Sequence, residues 1–442
     1  MKKEKKEEKI EVLTRSARYT EKNKKRNKLK ASIIHILLIL SLVFIAVFCL
    51  YLDYAHNLEN KEEKQKIINE VKKNYNKYVV VTKDSKLYDQ DYNKVGTVYK
   101  DVNIILDDMI IEKDTRYYKL KLGNYYVSYK DVKPIEDISE YSDRYKRYVV
   151  FNENIITKDK TNFYDDNNKL TYTFDKSFEF KIIIKDSDKY GIEFDNRLFY
   201  ILKDDVKSTK KVQNTKESVR ENIRTITYHT IYNTETEECN NSVICHPIEQ
   251  FDEHMKYISD NKYLTLTMEE LEMFLDKKIR IPIKSIVITL DDGKYAKNAV
   301  DIVEKYKVNA TYFIIGKRHS VKGIETTYMD FQSHSYDLHN NYKCPGGEQG
   351  GQLLCETEEN ILADLKKNKE LLGGDVFAFA YPFFDWNERA IEILKKAGIR
   401  LAFIGQYDTD GFSDFDTNRL LLRRKTIFSD DTVEILQSYL ES

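Results

Sequence analysis

The sequence predicts an α/β protein whose catalytic half is a parallel sheet or barrel, preceded by a membrane-length apolar helix and two small all-β modules. Three observations carry this. From residue 225 strand-like and helix-like runs alternate, the pattern of β/α units around a parallel sheet. Within them Ser285–Leu290 (SIVITL) is a continuous apolar run, as a strand covered on both faces requires. Upstream, residues 78–209 hold only short β-branched and aromatic runs, and residues 32–52 are almost wholly apolar, which suit small sheets and a bilayer-spanning helix.

Residues 1–31 form a basic tail that includes Lys22, Lys24, Lys25, Arg26, Lys28 and Lys30. Residues 32–52 read SIIHILLILSLVFIAVFCLYL, and about twenty such residues cross a bilayer as a helix. A buried core helix would lack the basic flank. A cleaved signal peptide would have a shorter apolar region and a small-residue cleavage site. The expectation is a single-pass anchor in the cell membrane, with the lipid bilayer as partner. The positive-inside rule puts the N-terminus in the cytoplasm and everything after Asp53 outside. Residues 53–77 read as a polar stalk.

Two runs of short strands follow, 78–136 and 145–209. Their endings match: Tyr126-Val127-Ser128-Tyr129-Lys130-Asp131-Val132 against Tyr200-Ile201-Leu202-Lys203-Asp204-Asp205-Val206. The match suggests an internal repeat of about 75 residues. Residues 210–225, partly Lys-rich and without periodicity, read as a linker, and 226–442 as the catalytic domain. Charged residues make up 33% of the chain, yet the net charge is -1. No basic excess marks nucleic acid as a partner, and the abundance of strand-forming residues excludes a disordered chain.

The second half opens with ITYHTI as a strand and PIEQFDEHMKYISDN as an amphipathic helix. Thr267-Met268-Glu269-Glu270 has capping-box form and starts the next helix. SIVITL then runs into Asp291-Asp292-Gly293, a helix through Asn298–Tyr306, strands ATYFIIG and FAFAYP, helix ERAIEILKKAG and strand RLAFIG. Sites in such folds lie at the carboxyl ends of strands. Asp291 and Asp292 sit at such an end, where crowded like charges need a cation or donor to offset burial. DDG alone is also an ordinary helix-capping turn.

His334 and His339, in Ser333-His-Ser-Tyr-Asp-Leu-His339, shift the balance. The chain holds only eight histidines, and this spacing lets the rings converge only through a loop. Two neutral imidazoles and the Asp292 carboxylate suit Zn²⁺, with a fourth position open for water. Such a metal would polarise a carbonyl and acidify its water, and Asp291 would accept the proton. Asp337, between the histidines, either orients a ligand or caps the turn. Cys239/Cys245 and Cys344/Cys355 are close pairs. In an exported protein they read as loop-stapling disulfides; a zinc site would favour CxxC spacing, which neither has.

SIVITLDDG, NATYFIIG, SHSYDLH and FAFAYPF, in this order, resemble the NodB-like polysaccharide deacetylases, carbohydrate esterase family four. The resemblance covers about half the chain, from Tyr228 to the C-terminus. It implies a deformed (β/α) barrel that removes acetyl groups from N-acetylglucosamine in a polymer, with Zn²⁺ or another divalent metal such as Co²⁺. It assigns Asp291 as general base and Asp292, His334 and His339 as metal ligands. Pro382-Phe383 matches the groove motif in which the residue after proline offers its N–H to the oxyanion, with Tyr381 and Phe383 lining the sugar groove. Arg424, in LLLRRKTI, matches an arginine that reaches back to the base. The family's third-motif arginine is replaced near Ala380, its late histidine is absent, and Phe384 stands where glycine is usual. His229 stands in for the missing acid or is structural. The two β runs resemble bacterial SH3-like domains, which leaves wall-binder and spacer both open.

The expected function is therefore a metal-dependent N-deacetylase of peptidoglycan or another cell-surface polysaccharide. The alternatives are a weak or inactive wall-glycan-binding protein and an O-acetyl esterase with the same machinery.

Overall fold

A computed structural model describes residues 75–107, 117–136, 143–212, 219–240, 243–405 and 410–441. The tail, the apolar run 32–52 and the stalk before residue 75 lie outside them. Among the described residues no helix is long and apolar enough to cross a membrane; the expected transmembrane helix, and with it the bilayer as partner, falls outside them. The chain divides into two compact units: one draws on residues within 1–141, 157–178 and 194–201, the other on 142–156, 179–193 and 202–442.

The first unit is strand-rich. Tyr78–Val81 pairs antiparallel with Asn103–Ile105 and with Val132–Pro134. Beside it runs a longer antiparallel ladder: Thr161–Tyr164, Leu170–Phe174, Lys94–Val98, Ser85–Tyr88, Tyr126–Ser128, Tyr117–Lys119. This corrects the expectation of two self-contained SH3-like modules. Strands of the first run pair directly with strands of the second, through Tyr172↔Val98, Thr173↔Thr97 and Phe174↔Gly96. Gly96 makes the join possible, because a Cβ there would stand 2.2 Å from the Thr173 carbonyl oxygen. The matching endings do share a local form. Each is a strand, one 3₁₀ turn (Tyr129–Asp131, Lys203–Asp205) and a further strand.

The second unit contains the parallel sheet. From residue 222 its strands are β1 (Asn222–Tyr228), β2 (Thr230–Tyr232), β3 (Cys245–Pro247), β4 (Leu264–Thr265), β5 (Ser285–Asp292), β6 (Ala310–Ile314), β7 (Met329–Ser333), β8 (Ala378–Ala380), β9 (Leu401–Phe403), β10 (Phe412–Asp414) and β11 (Lys425–Thr426). Its helices are α1 (Ile248–Asp260), α2 (Met268–Leu275), α3 (Ala296–Tyr306), α4 (Glu358–Leu372), α5 (Glu388–Lys396) and α6 (Val433–Glu441). The main order is β9-β8-β7-β6-β5-β1-β10, with β4 on β5 and β11 on β1. All these pairings are parallel except β1 with β10.

The expected barrel is corrected to an open, curled half-barrel. Between β9 and β1 the described residues supply only the bridge Phe403↔Leu422 and the two-residue β11, which is too short to close a ladder. The apolar run reads true at β5: Ile286, Val287, Ile288 and Leu290 are fully buried. They pack with Phe251 and Met255 of α1 and Val300 and Val303 of α3. The Thr267 capping box forms and starts α2. Glu270 of that box also takes an ion pair from Arg144 and a hydrogen bond from the Tyr148 hydroxyl at 2.5 Å.

Candidate active site

Every parallel strand points its carboxyl end the same way, and the chemistry collects there. β5 ends in Asp291 and Asp292. Successive residues on a strand face opposite ways, and Asp292 adds a left-handed φ of 78° before Gly293 at 99°. Glycine is required at 293, because a Cβ would meet Ile314 Cδ1 at 2.8 Å. The two carboxylates therefore serve different partners.

Asp291 is 1% exposed and is held by Arg424, which is fully buried. Arg424 Nη1 donates to Oδ1 at 2.7 Å and Nη2 to Oδ2 at 2.8 Å; Nη1 also donates to Thr227 Oγ1 at 3.2 Å. This fork-on-fork geometry is the strongest form of such a pair. Burial pushes the Asp291 carboxyl up, but Arg424, with His334 and His229, overrides it and holds the group at about 2. Asp291 is a carboxylate throughout the neutral range.

Asp292 faces the histidines. Its Oδ1 lies 3.8 Å from His334 Nε2 and 3.6 Å from His339 Nε2. The three ligand atoms all fall within 4.8 Å of one another. His334 Nδ1 donates to the Ala380 carbonyl at 2.8 Å, which leaves the Nε2 lone pair facing Asp292. Burial pushes His334 down to about 4, against the pull of Asp291. Burial first and Arg318 second push His339 down to about 4. Both rings are thus neutral at pH 7, and their approach to Asp292 is no ion pair. Two imidazole lone pairs and a carboxylate converging without a donor between them fit a divalent cation, and N₂O is a donor set zinc accepts.

The His334–His339 turn is held from behind by α4. Asp364 accepts the N–H groups of Tyr336 and Asp337, each at 2.7 Å. One turn later Asn368 donates to the Ile314 carbonyl at 3.0 Å and to Ser333 Oγ at 2.9 Å. Asp337 neither caps the turn nor reaches the cluster; its carboxylate pairs with Lys317 at 2.6 Å. Arg318 donates to the His339 carbonyl.

Past β8 the chain makes a 3₁₀ turn, Pro382–Phe384. Phe383 and Phe384 both adopt positive φ, 59° and 60°, a strain of about 1 kcal/mol or more for each residue with a Cβ. Phe384 thus keeps the backbone form that suits glycine. Its ring rests on Gly405, where a Cβ would stand 2.8 Å from Cε1, and faces Arg424 at 5.5 Å. The Phe383 ring lies 4.3 Å from that of His339. Asp291, Asp292, His334, His339, Tyr381 and Phe383 line one cavity, together with His229, Glu348, Gln349 and Phe384. His229 Nδ1 is buried without a hydrogen-bond partner among the described residues. Cys239–Cys245 and Cys344–Cys355 lie at disulfide distance, with Cα–Cα 5.9 and 5.6 Å.

The sequence reading missed Asp364, Asn368 and Asp385. Asp385 is 3% exposed and accepts the N–H groups of Glu348 at 2.7 Å and Gly351 at 2.8 Å. The glycine-rich run PGGEQGG was the available signal, since glycines mark close backbone approach.

Residues 278–402 match the family model described as polysaccharide deacetylase. A poly-beta-1,6-N-acetyl-D-glucosamine N-deacetylase of Staphylococcus aureus (strain N315) is 28% identical over 210 residues, covering 42% of this chain and 69% of that protein. A putative polysaccharide deacetylase, YxkH, of Bacillus subtilis (strain 168) is 27% identical over 202 residues, covering 44% and 70%. Among solved structures, the Streptococcus pyogenes deacetylase PplD in complex with acetate is 20% identical, with TM-score 0.40 over 51% of this chain and 100% of that one. IcaB from Ammonifex degensii is also 20% identical, with TM-score 0.41 over 50% and 98%. The family match lies across the motifs that the fold gathers at one sheet end, Asp292, His334 and His339 among them.

Proposed function

We propose that the protein is a metal-dependent N-deacetylase of a surface polysaccharide built from N-acetylglucosamine. The observation that carries this reading is the convergence of Asp292 Oδ1, His334 Nε2 and His339 Nε2 beside a fully buried Asp291. The names of the Staphylococcus aureus relatives support the amide and the sugar. Asp292, His334 and His339 would hold a divalent cation, which would supply Lewis-acid polarisation of the acetyl carbonyl and lower the pKa of the attacking water. Asp291 accepts that water's proton. Arg424 fixes the direction of the carboxylate and keeps it ionised. The Phe383 N–H is offered to the developing oxyanion. His229, which lines the same cavity, gives a proton to the departing amine, the role left open by the absent late histidine.

The test is acetate release from an N-acetylglucosamine oligomer by the purified protein. Release is expected to vanish on chelation, to return with Zn²⁺ or Co²⁺, and to fall by roughly 10²–10⁴-fold in Asp291→Asn. Release from O-acetylated xylan but from no N-acetylated glycan would make it an esterase. No release from either, with metal bound, would leave a binding protein.

A further inference from the structure

The loop from Asn341 to Cys355 is built more firmly than an exposed loop requires. An antiparallel bridge, Asn341↔Gly351, opens it. The N–H groups of Tyr342 and Cys344 both donate to the Gly350 carbonyl at 3.1 Å, and Cys344–Cys355 closes it. Its tip wraps around the buried Asp385, whose carboxylate accepts N–H groups of Glu348 at 2.7 Å, Gln349 at 3.2 Å and Gly351 at 2.8 Å. The glycines are dictated by this approach. A Cβ on Gly347 would stand 2.5 Å from Asp385 Oδ1, and one on Gly351 would stand 3.1 Å from Phe383 Cδ2. A buried carboxylate holding several N–H groups rigidifies what it holds.

What the loop holds still is suggestive. Glu348 and Gln349 face the cavity that contains Asp292 and His339. Tyr342, on the same hairpin, is 62% exposed, the highest exposure among the large hydrophobic side chains described. A single exposed tyrosine is ordinary on a protein surface. One on a doubly pinned loop that also walls the reaction cavity is placed to meet substrate. Its ring offers an apolar face to a sugar ring at low entropy cost.

We propose that this loop is a polymer-binding arm, contacting a sugar beside the one whose acetyl group enters the cavity. Tyr342 stacks on a pyranose ring, Gln349 and Glu348 hydrogen-bond its hydroxyls, and Asp385 is the positioning residue that sets them. The ligand class is a chain of hexosamine rings, longer than the single sugar the cavity needs for chemistry. The inference deepens the proposed function and rests on it for the nature of the polymer.

The experiment compares parent, Tyr342→Ala and Asp385→Asn by three readouts. These are kcat and KM for acetate release from N-acetylglucosamine hexamer, turnover of p-nitrophenyl acetate, and hexamer binding to metal-free protein. Binding is followed by the fluorescence of Trp386, the chain's one tryptophan. Tyr342→Ala is expected to raise KM and the dissociation constant for hexamer roughly ten-fold. kcat, the small ester and the melting temperature should stay unchanged. Asp385→Asn should show the same length-dependent loss and a lower melting temperature. Hexamer binding unchanged in both variants, or equal losses on hexamer and small ester, overturns the arm. Hexamer binding that depends on Tyr342 without acetate release from any substrate overturns the deacetylase reading and leaves the arm standing.

Discussion

The two sides of the cavity are held by different means. On the strand side Asp291 leaves the end of β5 and is gripped by an arginine from the chain just before β11. On the loop side His334 and His339 sit in a turn whose backbone N–H groups are gripped by Asp364. In one case the side chain proposed to do chemistry is paired directly. In the other a carboxylate outside the cavity shapes the peptide that carries the proposed metal ligands. The same residue type thus ends in opposite states. Asp291 is held at about 2 by Arg424 against its burial. Asp364 is pushed up to about 6 by burial, which the two N–H groups only partly oppose. A neutral donor array stabilises a buried carboxylate less than a guanidinium does.

The largest effect is expected from breaking the strand side. Arg424→Met leaves a dehydrated carboxylate without a counter-charge, which costs about 3–5 kcal/mol. Denaturant titration should show a correspondingly lower midpoint, and acetate release should fall with it. A loss below about 1 kcal/mol would mean that water reaches Asp291. Breaking the loop side should be milder and of another kind. Asp364→Asn can accept only one of the two N–H groups, so metal affinity should weaken roughly 10–100-fold while kcat returns at saturating metal. A competition titration with a chelating dye checks this; an unchanged affinity would make Asp364 purely a helix–loop contact.

The smallest effect sharpens the contrast through pH. Asp291, with its folded value depressed from 3.8, contributes stability above pH 4 that is lost as pH falls toward about 2. Asp364 has the opposite sign. Its folded value is raised from 3.8 to about 6, so its ionised form costs stability above pH 6, and this cost is relieved as pH falls from 6 to 4. Between pH 7 and 4.5 the parent should gain about 2 kcal/mol relative to Asp364→Asn. A difference between the two that does not change with pH would show that Asp364 titrates normally.

The same contrast governs what could be read from residues alone. SIVITL and the capping box at Thr267 are short-range signals, and each is realised where the pattern put it; DDG and HSYDLH lie far apart in the chain, but each is conspicuous by itself, and Asp292, His334 and His339 converge. Asp364 and Asp385 act on backbone groups 27 to 37 residues away. Neither leaves a mark in its own neighbourhood, where one is a helix residue and the other follows a turn. The join between the two β runs was invisible for a related reason. A repeat of matching endings implies copies that fold alone, whereas Gly96 lets Lys94–Val98 accept a partner from the other run, Phe174 at register Gly96.

The burial of Arg424 and Asp291 has one more consequence, for the medium in which the enzyme works. Dissolved ions weaken an interaction only where they can approach it, within about 10 Å at 0.1 M salt for exposed charges. Both partners of this pair are shut off from solvent, so ions cannot intervene between them. The Asp291 carboxylate keeps its charge and direction in brine as in dilute buffer. Any effect of salt on turnover must enter through the polymer or through the exposed side chains that meet it.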